Sequence, residues 1–364
     1  MDLKTPLYDC HVKYNGKIVP FAGFLLPVQY ESGLIREHMA VREKCGMFDV
    51  SHMSELFVEG KDALANLQNI FPNDFSVMNA GQIKYSPMLN ENGGIIDDMI
   101  IYKFSDTKFM IVGNGANRKK DNDWIERHIL GDCKFTNRSD DYAQIAIQGP
   151  NSTTILKKLT DEKNIPVKYY YFLEGKVAGI DCIISQTGYT GEMGYELYCS
   201  PDKAVTLWEA LMDAGKDQGL IPCGLGSRDT LRLEASMVLY GHEMSDDITP
   251  LEAGLNFAVK LNKDDFIGKA ALEKRKDSTK TLVCFKVTGK GIVREHCDMF
   301  INGKKAGVST SGTHSPYFGY PIAMGYIEKE HSAIGTKVVF DVRGREVEAE
   351  IVKTPFYKRS KLNT

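Results

Sequence analysis

Two adjacent aspartates interrupt an apolar run, Ile95-Ile96-Asp97-Asp98-Met99-Ile100-Ile101-Tyr102. The run is rich in β-branched residues and reads as a strand. Strand side chains alternate, so Asp97 is expected on one face with Ile95, Met99 and Ile101, and Asp98 on the other with Ile96, Ile100 and Tyr102. Whichever face meets a core carries a carboxylate inward. Burying it unpaired costs on the order of several kcal/mol, so it must find a partner or line a wet cavity. The structural alternative is an edge strand whose inward acid bonds to backbone amides.

Elements of both kinds surround this run, without a regular βαβ rhythm. Helices are expected over residues 31–45, with a stop at Cys45-Gly46, over 62–71, from about Asn117, and from Ser200-Pro201. Strands are expected at Ile83–Met88, Ile95–Phe104, Lys108–Val112, Tyr142–Gln148, Val177–Gln186 and Tyr195–Cys199. Lys274-Arg275-Lys276-Asp277 forms a charged hinge, beyond which short β-rich runs alternate with turns. The chain of 364 residues therefore reads as an α+β body followed by a small all-β domain, expected to be a barrel.

Composition narrows the function. Net charge is -3, from 45 basic and 48 acidic residues, which argues against a dedicated nucleic-acid binder. No apolar run is long enough to cross a membrane as a helix, and Met1–Pro6 resembles neither a secretory signal nor a transit peptide. The eight cysteines form no C-x-x-C pair and do not cluster with the eight histidines. Reduced cysteines, a cytoplasmic location and no structural metal are expected. P-loop, zincin and nucleophile-elbow motifs are absent, and Gly224-Leu225-Gly226-Ser227-Arg228-Asp229 reads as a turn before a helix rather than a dinucleotide loop.

Two further stretches could carry chemistry. Thr187-Gly188-Tyr189-Thr190-Gly191-Glu192-Met193-Gly194-Tyr195-Glu196-Leu197 combines glycines, tyrosines and an acid. It suits a planar heteroaromatic ligand whose N–H groups a carboxylate receives, or else forms a hairpin with surface tyrosines. Arg228 and Arg232 are four residues apart, hence on one helix face. They either pair with neighbouring acids, or Arg228 receives a ligand carboxylate in a bidentate bond.

In order and spacing, several stretches resemble the T-protein family of the glycine cleavage system, the tetrahydrofolate-dependent aminomethyltransferases. They include Thr5-Pro6-Leu7, Gly46-Met47-Phe48-Asp49-Val50-Ser51-His52-Met53, Asn92-Gly93-Gly94-Ile95-Ile96-Asp97-Asp98 and Gln148-Gly149-Pro150. Thr187–Glu192, Gly224–Ala235, Leu239-Tyr240-Gly241 and Thr310-Ser311-Gly312-Thr313 complete the set. Departures include Gly23-Phe24, Gly113 where a valine is typical, Ser227, and Arg294-Glu295-His296-Cys297.

The resemblance implies a three-lobed molecule. A folate-binding body of two interleaved α+β lobes spans 1–275, with the second lobe at roughly 52–140, and a C-terminal β-barrel spans 280–364. It also implies a reaction: ammonia leaves the aminomethyl-lipoyl group on H protein, and the one-carbon unit passes to tetrahydrofolate, giving 5,10-methylenetetrahydrofolate. A functional link to the P and L proteins follows, with neither nucleic acid nor membrane as partner.

By the same resemblance Asp98 is the catalytic carboxylate, near the reacting folate nitrogens. There it would hold the amine nucleophilic, accept a proton or stabilise an iminium. Glu196 corresponds to the acid that holds the pterin ring and Arg228 to a folate-binding arginine. Tyr85, Ile100, Tyr102 and Tyr189 correspond to pocket-lining positions, with Met53 on the same wall and Asn117 as pocket support. Lys358, Arg359 and Lys361 could receive the folate tail or an acidic carrier, or form a solvated tail. The alternative enzyme is a folate-dependent demethylase of a small methylated substrate. The alternative from another class is a folate-binding iron–sulfur assembly factor, whose Lys-Gly-Cys-Tyr type signature is missing here.

Overall fold

The computed structural model describes residues 2–359, so Lys361 and the end of the expected barrel segment lie outside the described residues. A small sheet of Leu3–Lys4, Phe24–Gln29 and Lys17–Phe21 opens the chain. Next comes a six-stranded sheet ordered Phe172–Val177, Ile180–Ser185, Gly194–Cys199, Ala143–Gln148, Cys45–Asp49 and Leu220–Pro222. Helix Ala204–Gly215 covers one face, with Leu207, Trp208 and Leu211 wholly buried against Ile145, Ile147 and Leu197. Burying each such side chain contributes about 2 kcal/mol.

Between Asp49 and Ala143 the chain leaves this sheet and builds another. Its order is Ile83–Leu89, Ile95–Ser105, Lys108–Gly113, Ser54–Glu59 and Lys134–Asn137. Helices Ala63–Ile70 and Arg118–His128 pack on one side through Leu67, Ile70 and Ile125. The other side meets the first sheet across Phe57, Tyr102, Met110, Phe172 and Tyr198. The last six strands, from Lys280–Val287 to Glu346–Val352, close into a barrel. Leu89, Ile95, Leu233, Met244, Ile322 and Met324 form a third core that joins barrel and body.

Several expectations from local pattern are corrected. The helix expected over 31–45 occupies Leu34–Glu43, and Cys45-Gly46 begins a strand rather than ending the helix. That strand, Cys45–Asp49, is buried throughout, paired with Ala143–Gln148 on one side and Leu220–Pro222 on the other. The strand expected over Val177–Gln186 is a hairpin, because Ala178 and Gly179 both adopt positive φ and turn the chain. Ser200 does not cap the following helix through its side chain; its hydroxyl bonds Asp202, and a 3-10 turn precedes Ala204.

The alternation expected in the Asp97-Asp98 strand also breaks at one end. A bulge between Met88 and Leu89 shifts the pairing by one residue. Ile96, rather than Ile95, therefore joins Met99 and Ile101 in the helix-side core, and Ile95 packs with Leu89 toward the barrel.

Candidate active site

The two aspartates face opposite ways, as alternation requires, and both leave bulk solvent. Asp97 is wholly buried on the helix side. Asp98 is half-buried on the side shared with Ile100 and Tyr102, which faces the first sheet. One amide serves both: Asn114 Nδ2 donates to Asp97 Oδ1 at 2.8 Å and to Asp98 Oδ1 at 2.9 Å. Asn114 holds Asp97 further through its backbone N–H, at 3.2 Å from Oδ2.

Burial, and next the Asp97 charge, raise the Asp98 carboxyl from the ordinary carboxylate range to about 7, against the lowering effect of the Asn114 amide. A carboxyl so placed exchanges its proton near neutral pH. Tyr85 pairs in register with Ile100 on the neighbouring strand. Its buried hydroxyl lies near the Asp98 carboxylate but forms no well-shaped hydrogen bond. Burial, with the Asp98 charge next, holds that phenol neutral.

The first sheet supplies the opposite wall. Glu196, on Gly194–Cys199, accepts hydrogen bonds from the Thr187 hydroxyl and from Gln144 Nε2. Burial raises its proton affinity, while the Thr187 bond and the Arg228 charge oppose that shift. Gln144 also donates to the Tyr198 hydroxyl at 3.0 Å, leaving its own carbonyl oxygen without a partner. Arg228, on helix Leu225–Glu234, lies with its guanidinium 4.9 Å from the centre of the Tyr189 ring, within the field of Glu196. The Tyr189 hydroxyl is anchored to the Val238 carbonyl, which leaves the ring as the contact surface.

The remaining expected positions divide. Met53 and Ile100 join the apolar cluster between the sheets. Tyr102 is wholly buried, with its hydroxyl bonded to Tyr198 at 2.8 Å and to Ser185 at 3.1 Å, so it backs the wall rather than presenting a free group. Asn117 precedes helix Arg118–His128, and its Nδ2 has no hydrogen-bond partner among the described residues.

The amide on Asp98 is Asn114, and sequence reading passed over it. Strands Ile95–Ser105 and Lys108–Gly113 form an antiparallel hairpin whose register shifts between Lys103 and Ser105; beyond the shift Ile100 lies opposite Val112, so the residue continuing opposite Asp98 is 114 rather than the 115 that the turn alone would give. Tyr170 was also missed. It stands at positive φ, and the charges of both Glu196 and Asp98 reach it. Nearby Tyr169 feels Arg359, while Lys358 is exposed.

Asp98, Tyr85, Tyr189, Arg228 and Glu196 thus form one cluster of groups within one another's electrostatic reach, with Gln144 bonded to Glu196. It offers flat aromatic surfaces, two carboxyls of raised proton affinity, and buried polar atoms at Tyr85 and Gln144 without partners. Such atoms fit a flat ligand carrying both N–H and carbonyl groups. Beside it, a cavity of about 1040 Å³ opens between helix Leu225–Glu234 and the barrel, with Arg232, Lys290, Arg294, Arg343 and Arg345 in its lining. Among the described residues no cluster of three or more His, Cys, Asp or Glu side chains is placed to hold a metal ion, and no helix is long and apolar enough to cross a membrane. All eight cysteines are free thiols.

Residues 7–263 match the family model described as GCVT N-terminal domain, and residues 280–358 match the glycine cleavage T-protein C-terminal barrel domain. The aminomethyltransferase of Halalkalibacterium halodurans is 45% identical, with 98% of each chain covered. That of Caldanaerobacter subterraneus is 47% identical over 98% of this chain and 96% of its own. The crystal structure of glycine cleavage system aminomethyltransferase T from Bartonella henselae superposes with a TM-score of 0.91 at 32% identity, covering 98% of this chain and 99% of that one.

Proposed function

The chain belongs to the glycine cleavage T-protein family and is an aminomethyltransferase of the glycine cleavage system, and on that premise we propose that Asp98 is its catalytic carboxylate. The family uses tetrahydrofolate as the one-carbon acceptor. Tetrahydrofolate supplies two nitrogens that take the carbon, one in the reduced pterin ring and one in the adjoining anilino group, and the transfer releases ammonia and a free lipoyl thiol. Proton balance requires two N–H protons to leave the acceptor, one for the thiol and one for ammonia.

The observation that carries the assignment is the position of Asp98 among Tyr85, Tyr170 and Tyr189, with a proton affinity near neutrality and an amide fixing its orientation. As a carboxylate it accepts a proton from an attacking amine; once protonated it returns one to a leaving group. Glu196, steadied by Thr187 and Gln144, receives N–H groups of the pterin edge. Arg228, Tyr85, Tyr189, Ile100 and Met53 form the rest of the folate pocket, with Tyr102 and Asn117 as support. Holding the acceptor rigid against Asp98 is itself a large part of such catalysis.

T-protein chemistry implies interaction with H protein. The cation-lined cavity beside helix Leu225–Glu234 supports entry of the lipoylated H protein arm from the barrel side. A functional link to the P and L proteins, a cytoplasmic location, a body over 1–275 with an inserted lobe at 52–140, a barrel over 280–364 and independence from metal, membrane and nucleic acid complete the proposal. The test supplies purified protein with tetrahydrofolate and aminomethyl-loaded H protein. Ammonia and 5,10-methylenetetrahydrofolate should form in equal amounts. Carrier-independent methyl transfer giving 5-methyltetrahydrofolate would reject the reading.

A further inference from the structure

We propose that Asp121 is a positioning residue for the transfer: a buried carboxylic acid that keeps its proton and donates it in a hydrogen bond to Asp97, so fixing the charge and orientation of the Asp97–Asn114–Asp98 cluster. Asp121 sits in the first turn of helix Arg118–His128, wholly enclosed. Neither of its carboxyl oxygens receives a hydrogen bond among the described residues. The group it faces is the Asp97 carboxyl, itself wholly buried. Two ionised carboxylates cannot persist in contact away from water, so the pair shares one proton.

The donors decide which residue keeps that proton. Asp97 accepts two hydrogen bonds from Asn114, one from its backbone N–H and one from its side-chain amide. Asp121 has no such donor. Burial first, and then the Asp97 charge, push it up to about 11. Gly113 leaves room for the approach, because a Cβ there would stand 3.3 Å from Asp121 Oδ2 and 3.0 Å from Ser54 Oγ. From Asp97 the contact continues through the Asn114 amide to Asp98 Oδ1.

The other groups around the cluster are few. Tyr85, Tyr170 and Tyr189 feel the Asp98 charge. Lys120 and Tyr240 feel Asp121 from the barrel side, with Asp246 beside them. Lys120 is committed elsewhere: its Nζ donates to the Ile96 carbonyl at 2.6 Å and lies 3.7 Å from the centre of the Tyr240 ring. Lys120 also lies within the field of Asp97, but with its Nζ on the Ile96 carbonyl it gives Asp97 no hydrogen bond among the described residues, and the proton on Asp121 supplies one.

The inference rests on Asp98 as the catalytic carboxylate, and the test separates the two. Infrared difference spectra of the full chain at pH 8, wild type against Asp121→Asn, should show the C=O stretch of a protonated carboxyl group in the wild type alone. No such band would overturn the proposal. In pH–rate profiles, Asp121→Asn keeps an N–H toward Asp97 and should hold the wild-type limb. Asp121→Leu leaves the Asp97 charge unshared and should move the limb upward by about half a unit or more. Asp97→Asn removes that charge and should move it downward. An unmoved limb in Asp121→Leu, or in Asp97→Asn if the leucine variant does not fold, also overturns it. Failure of the Asp98 assignment would read differently, as a wild-type rate in Asp98→Asn with the infrared band intact.

Discussion

Asn114 stands across an antiparallel strand pair from Asp98 and donates its side-chain amide to the Asp98 carboxylate at 2.9 Å. The same nitrogen serves Asp97, so the orientation of the proposed catalytic group depends on a residue sixteen positions away in sequence.

Replacing Asp98 by Asn should leave the fold and most folate affinity intact and lower turnover at least ~100-fold, the scale of one acid–base or electrostatic group. Steady-state rates with saturating loaded carrier, beside folate titrations, measure this. A wild-type rate would remove Asp98 from the mechanism.

The raised proton affinity of Asp98 gives a second expectation with a fixed sign. Its carboxyl is held near 7 when folded, against 3.8 for an unperturbed aspartate. Stability is then greatest below the unfolded value and falls as pH rises through the folded one. Asp98→Asn should therefore melt at a higher temperature than wild type at pH 8, with little gain at pH 4. In wild type, kcat/KM should rise along a limb near pH 7, since the carboxylate is the active form. A pH-independent rate between 6 and 8 would contradict it.

Glu196→Gln replaces a charged acceptor with an amide that presents only one acceptor oxygen. Losing a hydrogen bond to a charged group costs about 1.5–3 kcal/mol, so folate should bind roughly tenfold or more weakly. Isothermal titration reads this directly. Unaltered affinity would mean the pterin edge is held elsewhere.

At the end of strand Cys45–Asp49, Asp49 accepts from Thr5 Oγ1 at 2.6 Å and pairs with His11 Nε2 at 2.8 Å, both partners buried. Although burial alone would raise the Asp49 carboxyl, the His11, Thr5 and Ser51 contacts together hold it below its usual value. Its stabilisation is thus present above the unfolded value and lost as pH falls through the folded one. His11→Ala leaves a buried charge without its partner and should cost about 3–5 kcal/mol in urea unfolding at pH 7. A loss under 1 kcal/mol would show that Thr5 and Ser51 suffice.

Much of this arrangement was legible in the chain. Alternation placed Asp97 and Asp98 on opposite faces, the β-rich tail gave the barrel, and motif order gave the family. Asn114 was not legible, because a bulge between Lys103 and Ser105 moves the pairing by one residue from the register that the turn alone would give. Cys45–Asp49 was not, since five residues ending a helix pattern reveal nothing of the two distant strands that pair with them. The break at Ile96 was hidden for a similar reason: Ile96 is an extra residue in its own strand, which only the pairing of Asp97 with Met88 and of Ile95 with Leu89 reveals.

Sequence by itself determined several of the strands and helices, which face Asp97 and Asp98 each take, and which family the motifs resemble, because these depend on local periodicity and residue chemistry. Tertiary structure alone decided that Asp121 meets Asp97 and that Glu196 and Arg228 enter the field of one another from separate elements. Such meetings depend on how sheets and helices pack, and packing sets the burial and charge separations that tune a carboxyl group.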